Sequence, residues 1–155
     1  NWQFMATKKF DPVDFEVFLK LLPKQVDGRA IRHAVEVRHD SFNTPDFVEM
    51  LRHYEVAVIT SGDSAFPQIA DITAPFVYAR IMGTMEDQSL GYAPAELDRW
   101  IARARQWASG IVPSDLTSAG TAQPKPVPRD VFLYVISGFK EKNPAAAMAL
   151  IARMR

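Results

Sequence analysis

The chain has 155 residues, of which 48% are hydrophobic and 23% charged, and its 18 basic residues balance its 18 acidic residues. This length suits one domain, residues 1–155, with a core of its own. The neutral balance argues against a membrane surface or nonspecific nucleic acid as a partner. There is no cysteine, so disulfides, thiolate metal sites and thiol nucleophiles are excluded, and we expect a cytoplasmic protein.

The N-terminus shows no targeting segment. No apolar run approaches the roughly 18 residues that a membrane span needs, and no signal peptide is visible. The first residue is Asn1 rather than methionine, and residues 2–5 already have the composition of a strand interior. We therefore expect that the chain was cut from a longer one and that an N-terminal part is missing.

Two strand–helix units are predicted in the first half. Residues 1–6 are the end of a strand, and Asp11 then caps a helix that begins at Pro12. After a loop, residues 34–39 form a central strand, and Thr44 caps a second helix. Apolar side chains at i, i+3, i+4 and i+7 predict one buried stripe per helix: Phe15, Phe18, Leu19 and Leu22 in the first, and Phe47, Met50, Leu51 and Tyr54 in the second.

Three more strands follow, at residues 56–61, 76–82 and 131–136. They are largely apolar, as parallel strands tend to be. A helix begins at Pro94, and another, capped by Asn143, ends the chain. The expected inward residues are Leu97, Ile101, Ala104 and Ala108 in the first of these helices, and Ala147, Leu150, Ile151 and Met154 in the second.

This alternation of strands and helices predicts an α/β fold, with a parallel sheet and helices packed outside it. Two architectures fit the pattern, an open doubly wound sheet or part of a β/α barrel. The glycine-rich phosphate loops of nucleotide-binding open sheets, GxGxxG and GxxxxGK[ST], are absent from the sequence.

Polar side chains occupy one face of two of the strands. Successive residues of a strand point to opposite faces, so Glu36 and Arg38 share a face of the central strand. By the same rule Tyr78 and Arg80 share a face of the strand at 76–82. We expect these four side chains to converge near the carboxyl ends of the strands, where barrel enzymes carry their sites.

Two interpretations of this cluster stay open. Two arginines and one glutamate can form a structural ion-pair network that is satisfied and inert. Alternatively, the positive surplus binds an anion, because each arginine offers a planar fork to phosphate or carboxylate. In that case Arg38 and Arg80 hold the anion, and Glu36 orients them or acts as an acid or base.

His39 ends the central strand and is a second candidate for acid–base catalysis, although alternation places it off the Glu36 face. Glu36, His39 and Asp63 are the one reasonable combination of metal-ligating residue types. Asp63 follows Gly62, which favours a turn instead. Tyr92 also follows a glycine, and it either closes over a ligand or packs on the third helix.

Several runs resemble motifs of the YecE-like family, known as domain of unknown function 72. They are Trp2–Phe4, Glu36–Phe42, Phe76–Gly83, Tyr92 ahead of a helix, and Pro144–Ala147. The resemblance covers essentially the whole chain and implies a TIM-like β/α barrel, of which strands four to eight are present. The matching residues that would point inward are Gln3, Glu36, Arg38, Tyr78 and Arg80. The family's own activity is not established, so the resemblance implies no reaction.

We therefore expect a barrel that binds a small anionic or hydroxylated ligand at its carboxyl-end mouth, with Gln3, Tyr78 and Tyr92 as further binding residues. The residues identify no cofactor and do not decide between binding and catalysis. The rivals are a metal-dependent phosphodiester- or sugar-handling enzyme, and a noncatalytic module that binds nucleic acid or protein. A partial barrel exposes two sheet edges and an apolar face, so self-association of the chain is also expected.

Overall fold

A computed structural model describes residues 1–122 and 124–155. Within these residues, strands and helices follow one another as the sequence predicts, with one additional hairpin. The strands are β1 (Trp2–Gln3), β2 (Gln25–Val26), β3 (Arg29–Ala30), β4 (Ala34–Glu36), β5 (Ala57–Gly62), β6 (Phe76–Ile81) and β7 (Asp130–Val135). The helices are α1 (Pro12–Lys20), α2 (Pro45–Tyr54), α3 (Pro94–Ala108) and α4 (Asn143–Met154).

Five of these strands form one sheet in the order β1-β4-β5-β6-β7. Each strand pairs in parallel with the next, because a helix or a long connection carries the chain back to the same end of the sheet. The α/β prediction is confirmed. Strands β1 and β7 are the edges, and over the described residues the sheet does not close into a barrel.

The first two helices begin where the sequence predicts. The Asp11 carboxylate accepts hydrogen bonds from the backbone N–H groups of Val13 and Asp14, at 3.0 and 3.2 Å. The Thr44 hydroxyl accepts one from the N–H of Phe47 at 3.4 Å. These caps satisfy N–H groups that the start of a helix leaves without partners.

The start of α4 differs from the prediction. Asn143 does not cap the helix but is its first residue. Its amide oxygen accepts a hydrogen bond from the Thr84 hydroxyl at 2.7 Å, and its amide nitrogen donates to the Ser137 carbonyl at 3.1 Å. Asn143 thus ties α4 to the loops that follow β6 and β7.

The inward faces of α3 and α4 differ from the prediction at some positions, whereas four expected residues are buried as predicted: Leu97, Ile101, Ala104 and Leu150. Ala108 is exposed, and Ile151 and Met154 are 54% and 63% exposed. Because α4 is apolar nearly all round, its periodicity does not select one face. The buried residues of α4 are Ala146, Ala149 and Leu150. In α3, Trp100 and Trp107 are completely buried in the core.

Strands β2 and β3 form an antiparallel hairpin in a segment predicted as loop. Its two turn residues, Asp27 and Gly28, have φ angles of 50° and 73°. Positive φ at both positions is what a two-residue hairpin turn of type I′ requires, and Asp-Gly is a common sequence for it.

The helices pack on one face of the sheet, which we call the helix face. On it lie apolar residues of β4, β5 and β6 that contact the two helix pairs: Val35, Val58, Val77, Ala79 and Ile81. The opposite face carries a separate buried cluster around Ala57, Ile59 and Phe76, to which no helix among the described residues contributes. We call it the helix-free face.

The helices next to the two sheet edges expose apolar side chains to solvent. They are Val13, Val17 and Leu21 on and just after α1, and Met148, Ile151 and Met154 on α4. Neither helix, nor any other in the described part of the chain, is long and apolar enough to cross a membrane.

Candidate functional site

Four polar side chains meet on the helix-free face, at the carboxyl ends of β1, β4 and β6. Gln3 and Glu36 are register partners in neighbouring strands, so their side chains leave the sheet on the same side. Arg38 follows β4, and Arg80 lies near the end of β6. We call Gln3, Glu36, Arg38 and Arg80 the arginine cluster.

The Glu36 carboxylate lies between the two arginines. Arg38 Nε donates to Glu36 Oε1 at 2.8 Å, and Arg80 Nη1 donates to Glu36 Oε2. Both guanidinium groups also donate to Oε1 of Gln3, Arg38 Nη2 at 2.9 Å and Arg80 Nη1 at 3.2 Å. Strand alternation therefore placed these side chains on the correct face.

The two guanidinium groups lie within reach of one small anion. Because Arg38 Nη2 and Arg80 Nη1 bond the same oxygen of Gln3, the distance between these nitrogens cannot exceed the sum of the two bond lengths. That sum is well below about 10 Å, the separation at which one phosphate or carboxylate could no longer contact both guanidinium groups.

The cluster carries one positive charge in surplus. The Glu36 side chain is completely buried, whereas those of Arg38 and Arg80 are 23% and 18% exposed. Arg38 Nη1 and Arg80 Nε and Nη2 find no acceptor among residues 1–122 and 124–155. Glu36 is thus fully occupied in holding the arginines, while part of each guanidinium fork stays free for an acceptor from solvent.

Aromatic rings flank both arginines. The guanidinium carbon of Arg38 lies 4.4 Å from the centre of the Phe66 ring, a cation–π contact. Beside Arg80, the Tyr78 ring stacks on Tyr134 with 5.1 Å between ring centres and an interplanar angle of 26°. Burial is the main cause that raises the pKa of Tyr78, so its hydroxyl stays protonated as a donor at neutral pH.

His39 points away from the arginine cluster. Its Nδ1 accepts a hydrogen bond from the Ser41 backbone N–H at 3.1 Å and lies 2.9 Å from the Ser41 hydroxyl, so it caps the 3₁₀ turn Asp40–Phe42. The Asp63 carboxylate accepts from the indole N–H of Trp100 at 2.7 Å. These contacts give His39 and Asp63 structural roles.

Glu36, His39 and Asp63 do not form a three-ligand metal site in the described part of the chain. Glu36, His39 and Asp63 are engaged with different partners, and no group of three His, Asp or Glu side chains in the described residues is placed to hold a metal ion. A metal centre normally needs several such ligands directed at one point. The structure therefore does not bring together the ligands that the sequence made plausible.

Tyr92 also lies apart from the cluster. Its ring is 4% exposed and packs with Leu97 and Trp100 of α3 on the helix face. Its hydroxyl accepts a hydrogen bond from the Gly83 backbone N–H at 2.7 Å. Burial raises the pKa of the Tyr92 hydroxyl. Of the two positions expected for Tyr92, the structure shows the one packed on the third helix.

Three residues next to the cluster were not predicted as site residues. Tyr134 and Ser61 are the register partners of Arg80 in β7 and β5, and extending the alternation rule to those strands would have found both. Phe66 lies in the loop after β5, where no periodicity indicates which way a side chain points.

The comparisons with known proteins agree on one family. The family model described as "Protein of unknown function DUF72" matches residues 1–155. A DUF72 family protein from Thermotoga maritima MSB8 superimposes with a TM-score of 0.63 at 18% identity, over 98% of this chain and 55% of that one. Another, from Enterococcus faecalis V583, gives 0.61 at 12% identity, over 98% of this chain and 59% of that one.

The chain thus spans little more than half the length of these two structures, which it resembles in fold. No curated protein matches it. Because the family model covers every residue, the chain belongs to the DUF72 family of proteins of unknown function.

Proposed function

We propose that this chain binds a small anionic ligand at the carboxyl ends of β4 and β6, with Arg38 and Arg80 as the anion-binding groups. Glu36 and Gln3 hold the two guanidinium groups side by side, and Tyr78 adds a neutral hydroxyl nearby. The observation that carries the proposal is the shared bonding of both arginines to one Gln3 oxygen, while other N–H groups of both find no acceptor among the described residues.

Electrostatics supports binding rather than a closed structural network. In a closed network every donor of the arginines would be satisfied by protein acceptors. Here the one carboxylate is matched by two guanidinium groups that are partly exposed to solvent. A phosphate or carboxylate would both complete their hydrogen bonding and neutralise the surplus charge.

The proposed site belongs to a larger architecture. We infer that the five strands are part of a TIM-like β/α barrel whose interior is the helix-free face. Two features support this: the helices cover only the other face, and Glu36 is completely buried although no described helix covers it. In such barrels, binding sites lie at the carboxyl ends of the strands, where the arginine cluster is found.

Calorimetric titration with inorganic phosphate tests the proposal. Arg80→Gln removes one of the two guanidinium groups. We expect it to weaken phosphate binding at least about tenfold, since it deletes charge-assisted hydrogen bonds. Arg99→Gln is the matched control, because Arg99 forms an exposed ion pair with Glu96 on α3. Equal phosphate affinity of the two variants, or no binding by the unmodified chain, would contradict the proposal.

A further inference from the structure

Ser61 is an unusual hydroxyl next to the arginine cluster. It is completely buried, and its oxygen has no hydrogen-bond partner in the part of the chain that the structure describes. The neighbouring hydroxyls of Thr60 and Ser64 donate to the carbonyls of Ile69 and Ser61, at 2.9 and 2.7 Å. Burying a hydroxyl without a partner is unfavourable, so such a group calls for an explanation.

The Ser61 side chain points to the helix-free face. A β-carbon on the next residue, Gly62, would collide with the Trp100 ring of α3, so residue 62 faces the helices. Alternation then directs Ser61 to the opposite side. Ser61 is also the register partner of Arg80, which places it at the level of the arginine cluster.

The ion pair between Glu36 and Arg80 spans β5, the strand that carries Ser61. Glu36 is on β4 and Arg80 on β6, and β5, which carries Ser61, lies between these two strands. The two side chains must therefore cross β5 to meet. Because the register places Ser61 beside Arg80, the bridge crosses β5 close to the buried Ser61 hydroxyl, which has no hydrogen-bond partner among the described residues.

We propose that Ser61 is a third anion-binding donor of this site and that the ligand carries a tetrahedral oxyanion, such as a phosphoryl group. This inference rests on the proposed function. An incoming anion competes with Glu36 for Arg80, and as Arg80 moves toward the anion the bridge opens over Ser61. The anion then meets donors from three adjacent positions: Arg38 after β4, Ser61 on β5 and Arg80 on β6.

The number of donors favours phosphate over carboxylate. A carboxylate has two oxygens, which one guanidinium fork can already occupy. A phosphoryl group offers three oxygens in different directions, so two guanidinium groups and a hydroxyl can each bond a separate one. Ser61 thereby gains the partner that the described residues do not give it.

Titration of the full chain with inorganic phosphate and with acetate tests this role. We expect Ser61→Ala to weaken phosphate binding about tenfold and to leave acetate binding within about a factor of two. The melting temperature of the free protein should be unchanged or higher, because the deleted hydroxyl has no hydrogen-bond partner among the described residues. Ser61→Cys keeps the side-chain volume with a weaker donor and should show the same loss for phosphate.

The outcomes separate this inference from the proposed function. If Ser61→Ala binds phosphate normally while Arg80→Gln does not, Ser61 is not a donor and the anion site stands. Equal weakening for phosphate and acetate would refute the tetrahedral preference. A clear drop in the melting temperature of Ser61→Ala would show that the hydroxyl already has a partner. If the unmodified chain binds neither ion, the proposed function and the inference both fail.

Discussion

Replacing Glu36 with glutamine should destabilise the protein considerably more than replacing an exposed glutamate. The substitution keeps the shape of the side chain but removes the one negative charge of the arginine cluster. Arg38 and Arg80 then face each other with a neutral amide between them. Breaking a buried ion pair by removing one partner costs about 3–5 kcal/mol when the remaining charge stays buried.

The expected cost here is lower, because the remaining charges are not fully buried. The Arg38 and Arg80 side chains are 23% and 18% exposed, so water can partly replace the lost carboxylate. We therefore expect Glu36→Gln to lower the free energy of unfolding by about 2–3 kcal/mol. Phosphate should restore part of this loss, since an anion that binds only the folded state stabilises it.

Urea unfolding of Glu36→Gln, with and without phosphate, measures both effects. Glu96→Gln is the control, because Glu96 forms an exposed ion pair with Arg99 within α3, and its loss should cost less than about 1 kcal/mol. If Glu36→Gln costs no more than this control, the carboxylate does not hold the arginines in place. If phosphate stabilises both variants equally, the arginine cluster does not bind it.

Three further outcomes follow from the structure. His39→Ala should lower the free energy of unfolding in urea by about 1 kcal/mol, as the loss of a helix cap does, and should leave phosphate affinity unchanged. A changed affinity would show that His39 takes part in binding. Tyr92→Phe should cost about 1–3 kcal/mol, because the Gly83 N–H loses its acceptor. Because the pKa of the Tyr92 hydroxyl is raised in the folded protein, this hydroxyl ionises near pH 10 only when the chain is unfolded, so the free energy of unfolding falls above about pH 10. Unfolding experiments at alkaline pH should show a shallower fall for Tyr92→Phe. An identical fall for the two proteins would refute this assignment. The 155-residue chain should self-associate through its sheet edges and exposed apolar side chains. Replacing Val17 and Ile151 with lysine should lower the mass measured by light scattering. A compact monomer of the unmodified chain would contradict this prediction.

Strand alternation predicted the core of the candidate site because its residues lie on regular strands or within two residues of a strand end. Glu36 and Arg38 needed only a period of two to be placed on one face, and Arg80 followed from the same rule. The caps at Asp11 and Thr44 were equally local signals, since a side-chain oxygen next to a proline defines where a helix begins.

The remaining features depended on contacts that no local pattern encodes. The inward face of α4 could not be chosen, because alanine, leucine and methionine occupy nearly every position. Tyr92 follows a glycine in a loop, so its burial on α3 is decided by tertiary packing. That the Ser61 hydroxyl is buried without a partner among the described residues is decided by how β4, β5 and β6 come together in the sheet.

A structure determined from crystals grown with inorganic phosphate tests the central claim most directly. We predict one phosphate between the guanidinium groups of Arg38 and Arg80, with Arg80 drawn away from Glu36 and an oxygen of the ion within hydrogen-bond distance of Ser61. An arginine cluster that keeps all its present contacts at saturating phosphate, with no ion beside it, would contradict the account.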